Sequence, residues 1–338
     1  MKVKLFILLL AALLGFMCST PEQTNHQKGN SVPHTVAYSI ALHGGAGNID
    51  STTITAEKKL AYEATLALAL DSGLRMLARG DSAIDVVEAV VNILEDSPLF
   101  NAGKGAVLTA QGTFELDAAI MDGKNMKAGA VTNLRHIKNP ISLARAVMEK
   151  SEHVMMSGVG AEQFAGTVGF ELVDTNYFFT QERYDGWLKK NADINNKKHG
   201  TVGCVVKDTH GNLAAATSTG GMMNKKYGRV GDAPIIGAGT YASNSSCAVS
   251  CTGHGEYFMR YTVAHSVAAL VQYANLPLQQ AADSVIVRTL KPIGGTGGLI
   301  AVDASGNISM VFNTSAMFRA AANSEGYRVV GVFGNAGL

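Results

Sequence analysis

Hydrophobic and polar positions along this chain follow two rhythms. Strict alternation marks short strands, and a repeat of three to four residues marks helices. Val36–Leu42 predicts a strand that runs into the turn His43-Gly44-Gly45-Ala46-Gly47. Thr55–Arg79 carries Leu60, Ala64, Leu66, Leu68, Leu70, Leu74 and Leu77, an apolar set broad enough to predict a well-buried helix. Gly80 suits its C-terminal end, and Asp81-Ser82 suits the N-cap of a second helix, Ile84–Leu94. Three strand-like runs follow at 106–110, 114–121 and 128–134, with turn chemistry at Gly112 and Asp122-Gly123. Pro140–Ser151, Ala161–Phe164 and Thr180–Lys190 predict helices, and Val154–Val159 a short strand or turn.

A polar run rich in Lys and Asn, Lys189–His199, then stops at one Gly-Thr pair. Beyond it the rhythm becomes strands, helices, strands. Val202–Lys207 and Leu213–Ser218 predict a hairpin around Asp208-Thr209-His210-Gly211-Asn212. Ile235–Ala242 and Ala248–Cys251 predict strands, and Tyr257–Tyr273 and Gln279–Leu290 predict helices. Leu299–Val302 and Ile308–Phe312 close a second hairpin around Asp303-Ala304-Ser305-Gly306-Asn307. Apolar helices alternating with blocks of hairpin strands predict an α+β protein with sheets covered by helices.

The N-terminus reads differently. Met1-Lys2-Val3-Lys4 is basic, and Leu5–Met17 is apolar but shorter than the roughly 20 residues a membrane helix needs. This pattern predicts an export signal at 1–18, followed by a polar tether at 19–34. Cys18 at its end is a candidate lipid-acceptor cysteine, although Phe16-Met17 departs from the small residues usual before one. The expected location is the periplasm or, through Cys18, the membrane of the cell envelope. The alternative is ordinary signal cleavage and a soluble exported protein.

Composition narrows the chemistry. The chain has 338 residues, 16% charged, with a formal net charge of +1, which gives no footprint for nucleic acid. Besides Cys18 it has Cys204, Cys247 and Cys251, without metal-binding spacing, which read as buried thiols. Glu115, Asp117 and Asp122 alternate along a strand without a companion histidine, so they read as a solvated or hydrogen-bonded edge rather than a metal site. The first Gly-rich turn lacks the spacing of a nucleotide-binding fingerprint. His43 alone reads as a structural histidine.

The Gly200-Thr201 junction admits two readings. Thr201 is a β-branched residue that suits the start of a strand. Cleavage before it would also put a hydroxyl nucleophile and a free α-amine, titrating at about pH 7.7–8.0, on one residue. Five motifs stand in order along the chain: His43-Gly44-Gly45-Ala46-Gly47; Phe100-Asn101-Ala102-Gly103; Gly200-Thr201-Val202-Gly203; Thr217-Ser218-Thr219-Gly220-Gly221 with Gly228-Arg229-Val230-Gly231-Asp232; and Cys251-Thr252-Gly253-His254-Gly255-Glu256. Together they closely resemble the isoaspartyl peptidase/L-asparaginase family of N-terminal-nucleophile hydrolases, over nearly all of the chain from about Val36.

The resemblance implies a four-layer αββα sandwich, made as a precursor that cuts itself between Gly200 and Thr201. The pieces would be an α subunit, 35–200, and a β subunit, 201–338, assembled as a dimer of αβ pairs. It implies Thr201 as nucleophile, Thr219 as its activating neighbour, and Thr252 with Gly253 as the oxyanion site. Arg229 and Asp232 would hold the substrate's α-carboxylate and α-amine, with Gly253 and Gly255 lining that subsite. By spacing alone, Arg229 and Asp232 read as a surface salt bridge across a Gly-rich turn. The resemblance implies no cofactor for catalysis, and a structural sodium held by the backbone of Leu94, Glu95, Ser97, Phe100, Ala102 and Lys104. The expected activity is hydrolysis of β-aspartyl dipeptides and L-asparagine. Gly200, where glycosylasparaginases carry Asp, favours this over cleavage of sugar-linked asparagine, while an exported location favours the latter. A surface binding protein that keeps the fold without catalysis and an endopeptidase with the same nucleophile are the remaining alternatives; a site that grips a free α-amine and α-carboxylate disfavours the second. His254 and the three downstream cysteines receive no role.

Overall fold

A computed structural model of the chain describes residues 36–48, 54–192 and 200–334. The export signal, the tether, Cys18 and the linker from 193 to His199 lie outside the described residues. From residue 35 onward the chain is one compact unit. Its first half runs β1 (Ser39–Gly47), α1 (Ala56–Ala78), α2 (Ala83–Glu95), β2 (Leu116–Asp122), β3 (Ala128–Leu134), α3 (Pro140–Lys150), β4 (Met155–Ser157), α4 (Gly158–Thr167) and α5 (Gln181–Ala192). Its second half begins with β5 (Val202–Lys207), β6 (Leu213–Thr219), β7 (Thr240–Ala242) and β8 (Cys247–Gly253). Then come α6 (Gly255–Arg260), α7 (Val263–Ala274), α8 (Leu278–Asp283), β9 (Gly297–Asp303), β10 (Ile308–Phe312), β11 (Ala316–Asn323) and β12 (Arg328–Phe333).

Among the described residues the strands form two sheets, ordered β12-β11-β1-β5-β6-β2-β3-β4 and β10-β9-β8-β7. Alternation along each strand sorts the side chains into layers. Ile40, Leu42, Val206, Ala214 and Ala216 face α1 to α3 on one side of the large sheet. Ala41, Val205, Ala215, Ala248, Ile300 and Met317 meet between the sheets. Val249, Cys251, Leu299 and Ala301 face α7 and α8 on the far side of the small sheet. Helix, sheet, sheet and helix therefore stack in four layers, the αββα sandwich.

β5 lies between β1 and β6, with His43 opposite Gly203 on one side and Thr217 opposite Gly203 on the other. The strand that begins just after Thr201 is thus central, flanked by strands from the first and fourth motifs.

Several elements differ from the sequence expectation. The helix α1 is not buried all round: Leu60 and Leu68 are 65% and 57% exposed, while Leu66, Leu70 and Leu77 face the sheet. The run at 106–110 is not a strand and makes only an isolated bridge, Leu108 with Phe114. Of 235–242 only Thr240–Ala242 is extended, because the preceding glycines turn back on the chain through Gly237 N–H to Thr240 O. The expected helix 257–273 breaks where Thr262 enters the left-handed region at φ 43°. The helix at 279–290 becomes π-helical from Ser284. Strands β11 and β12 lie beyond the last expected element.

Glu115 and Asp117 do not sit on a solvated edge. β2 is an interior strand, and the buried Lys225 ammonium lies 3.8 Å from Glu115 Oε2 and 3.6 Å from Asp117 Oδ2. Among the described residues no group of His, Cys, Asp and Glu could hold a metal ion. Cys204, Cys247 and Cys251 are free, buried thiols, and Cys247 and Cys251 share one strand face.

Candidate active site

Polar residues collect at one end of the layer between the sheets. Thr201 lies just before β5, and Thr219 ends β6. The carbonyl oxygen of Gly200 accepts from Thr201 Oγ at 2.8 Å, from Thr219 Oγ at 3.0 Å and from Asn101 Nδ2 at 2.8 Å. The two hydroxyls are themselves 3.1 Å apart. The Gly200-Thr201 peptide is therefore held with the Thr201 hydroxyl beside its carbonyl and donors on the oxygen. Charge that develops on that oxygen during attack would be stabilised where it forms.

Asn101 was not singled out from the sequence, although its motif was. Its amide also donates to Gly221 O at 2.7 Å and accepts from Val107 N–H at 2.9 Å. The signal was present in the glycines around it. A Cβ at Gly44 would overlap the Phe100 ring, and one at Gly220 would lie 2.5 Å from Asn101 Oδ1. The first and fourth motifs are glycine-rich at these points so that Phe100-Asn101 can approach them.

Thr252 is fully buried at the end of β8, and its Oγ accepts from Ala46 N–H at 3.2 Å. A Cβ at neighbouring Gly45 would stand 3.2 Å from Gly200 Cα, so the first motif lies between Thr252 and the Gly200-Thr201 peptide. Gly253 follows with φ +155°, packed on Gly297 and Phe258.

A charged cluster adjoins it. Arg229 Nε and Nη2 donate to Glu256 Oε1 and Oε2 at 2.9 and 3.0 Å. The expected surface pairing of Arg229 with Asp232 is thus corrected: the partner is Glu256, from the first turn of α6. His254 Nε2 lies 3.4 Å from the same carboxylate. Asp232 is buried, and its Oδ2 is without a hydrogen-bond partner among the described residues. Burial, with Glu256 adding to it and Arg229 opposing it, pushes the Asp232 carboxyl up to about 7. Gly255 makes the junction close: a Cβ there would lie 2.7 Å from Arg229 Nη2 and 3.0 Å from Asp232 Oδ1. A guanidinium beside a buried carboxyl whose Oδ2 has no hydrogen-bond partner among the described residues is complementary to an α-carboxylate next to an α-ammonium.

The segment from Leu94 to Lys104 curls out of α2 into a short 3₁₀ turn at 103–105. Gly103, at φ +49°, sits against the Glu95 carbonyl, and the Leu94 and Ala102 carbonyls already accept from Ser97 and Gly105 N–H groups. Neutral backbone oxygens suit a hard monovalent cation better than a transition metal. The Glu95 side chain does separate work: it is buried, accepts from Ser218 Oγ at 2.6 Å and Ile141 N–H at 3.0 Å, and burial pushes it up to about 8.

The chain is 50% identical to the isoaspartyl peptidase of Salmonella typhimurium over 293 residues, which covers 83% of this chain and 94% of that protein. It is also 50% identical to the isoaspartyl peptidase of Escherichia coli, with 83% and 91% covered. The isoaspartyl peptidase/L-asparaginase of Xenopus laevis is 41% identical over 85% of this chain and 92% of its own length. The family model described as Asparaginase matches residues 36–332. With these likenesses, the αββα layers and the hydroxyl pair at Gly200-Thr201, the chain belongs to the asparaginase family.

Proposed function

We propose that this protein is a self-cleaving threonine hydrolase of β-aspartyl dipeptides and L-asparagine. The observation that carries the reading is the Gly200 carbonyl, met by Thr201 Oγ, Thr219 Oγ and Asn101 Nδ2 within 3.0 Å. In the precursor, Thr201 Oγ attacks the Gly200 carbonyl carbon and gives up its proton. The C–N bond to Thr201 breaks, the amine leaves protonated, and an ester joins Gly200 to the Thr201 oxygen. Water hydrolyses that ester, freeing the Gly200 carboxylate and the Thr201 hydroxyl and α-amine.

In the mature enzyme the α-amine, titrating at about pH 7.7–8.0, takes the hydroxyl proton as Oγ attacks the substrate's side-chain amide. The proton passes to the leaving ammonia or peptide amine. Water then hydrolyses the β-aspartyl ester. Thr252 Oγ and the Gly253 N–H serve as oxyanion donors in this step. Arg229 binds the substrate α-carboxylate, and Asp232, beside Gly255, binds the α-ammonium. The relatives that share half of the residues are isoaspartyl peptidases. The chemistry uses only side chains and backbone of this chain; sodium on the 94–104 carbonyls is a structural part of the proposal.

The reading extends to export by the 1–18 segment, attachment through Cys18, processing into 35–200 and 201–338, and assembly as a dimer of αβ pairs. Turnover of β-Asp-Leu, asparagine and N-acetylglucosaminyl-asparagine tests it directly. We expect release of leucine and ammonia from the first two. Activity on the sugar-linked substrate alone would replace the proposal with a glycosylasparaginase.

A further inference from the structure

Three of the five motifs meet a second time, in the buried layer behind Thr201, joined there by Ser250, the residue before the fifth. His43 is fully buried, with Nδ1 2.9 Å from the carbonyl oxygen of Thr201 and Nε2 3.0 Å from Ser250 Oγ. Ser250 Oγ is 2.7 Å from Thr217 Oγ. Thr240 Oγ lies 2.7 Å from Thr217 Oγ and 2.9 Å from Ala233 O, next to Asp232. This line of hydrogen bonds crosses from the small sheet to the large one. It joins the segment that carries Asp232 to the nucleophile's own carbonyl.

Proton counting fixes its direction. A carbonyl only accepts, so the Nδ1 proton points to Thr201 O. Burial pushes the His43 imidazole down to about 3, so the ring is neutral and Nε2 carries no proton. Ser250 must then donate to Nε2, Thr217 to Ser250, and Thr240 shares its proton between Thr217 and Ala233 O. The direction is fixed at the His43 end; further along, Thr217 Oγ also has the Gly239 carbonyl at 3.3 Å as an acceptor.

Gly203 supplies an independent sign that the contact is built. A Cβ there would overlap both Ser250 Oγ and His43 Nε2. The last residue of the Gly-Thr-Val-Gly motif is a glycine because the His43–Ser250 bond passes over its Cα.

We propose that His43 is a positioning residue for the reaction. Held as its Nδ1–H tautomer by Ser250 and Thr217, it anchors the Thr201 carbonyl and so aims the Thr201 hydroxyl and amine. The inference rests on Thr201 being the nucleophile.

Two substitutions separate anchoring from filling of space. Asparagine can place an amide donor near the Nδ1 position, and glutamine places its amide near Nε2. His43→Asn should keep kcat and self-cleavage within about fivefold of the wild type, while His43→Gln lowers both about 100-fold with KM little changed, as expected of a misaimed reacting group. Equal kcat in the two variants, or a rise in KM with kcat intact, would overturn the proposal.

Nitrogen NMR of histidine-labelled wild-type protein reads the tautomer without a substitution, with the His43→Asn spectrum identifying the resonance. A protonated Nδ1 and a bare Nε2 support the anchor; the opposite tautomer sinks it. Should His43→Gln fail to fold, Ser250→Ala decides: loss of the single tautomer with a roughly tenfold lower kcat supports the proposal, and an unchanged tautomer and rate overturn it. An active Thr201→Ala variant would instead remove the nucleophile assignment on which both readings stand.

Discussion

The two ends of the candidate site are built on different electrostatics. Around Gly200-Thr201 the functional groups are neutral: two hydroxyls, a carboxamide and peptide groups, with a histidine that burial keeps uncharged. In the adjoining cluster, Arg229, Asp232, His254 and Glu256 bring ionisable groups together, and the buried Asp232 carboxyl has one oxygen, Oδ2, without a hydrogen-bond partner among the described residues. The difference follows the task. Amide cleavage needs donors in fixed positions and a base whose proton affinity is matched to neutral pH. Recognition of a zwitterionic head needs full charges, which are strongest where water is excluded. Under the proposed function, the neutral end would work on the chain's own Gly200 carbonyl and the charged end on the free substrate.

This division can be broken first at the hydroxyl. Thr201→Ala should stay a single chain by intact mass and lose at least about ten-thousand-fold in turnover, as removal of a nucleophile does. Residual activity above that level would move the chemistry elsewhere. Asn101→Ala should next slow self-cleavage about 100-fold, the usual cost of losing one oxyanion donor. Its time course by mass, beside a thermal melt to check the fold, reads this; wild-type processing would leave the hydroxyls as sufficient.

The charged end predicts a pH dependence. As pH rises from about 6 to 8, Asp232, at about 7, becomes a carboxylate and the inhibition constant of L-aspartate should fall about tenfold. Without ligand the sign reverses. The folded value lies above the ordinary 3.8, so the stability linked to Asp232 is present at pH below about 4 and is lost as pH rises through 7. Asp232→Asn should flatten both profiles; an unchanged aspartate profile in that variant would take the ammonium site away from Asp232.

The smallest effect is expected at Glu256. Glu256→Gln replaces one acceptor of the Arg229 fork by a donor, so KM should rise about five- to tenfold while kcat and self-cleavage hold. A loss of self-cleavage in this variant would show that the two ends are not separable.

Much of this was legible in the chain because it is local. Thr55 and Ser82 accept from the N–H groups of Lys58 and Asp85, as cap residues do. The paired hairpin turns also read correctly: Asp208 accepts from His210 and Asn212 N–H groups, and Asp303 from Ser305 and Asn307 N–H groups, in the same pattern. Glu115 and Asp117 misled because alternation gives the face of a strand and not its place in the sheet. Their partner Lys225 comes from the loop after β6, 110 residues beyond Glu115. Glu256 shows the same limit. A carboxylate in a first turn suits the helix N-terminus, and the charge that claims it comes from Arg229 on another loop.

The sequence by itself determined the periodicities, the caps, the turn chemistry and the order of five motifs, because each depends on neighbours a few residues apart. It also determined that Ala41, Val205 and Ala215 share their strand faces with His43, Gly203 and Thr217, since side chains alternate with period two. Only the tertiary structure decided that these faces meet those of Ala248 and Ser250 from the second sheet. That packing makes one end of the layer apolar and gives the other a line of hydrogen bonds ending on Thr201. Sheet register fixes which residues oppose one another over long sequence separations. Asn101 reaches Gly200, and His43 reaches Ser250, through register and packing that no local rhythm encodes.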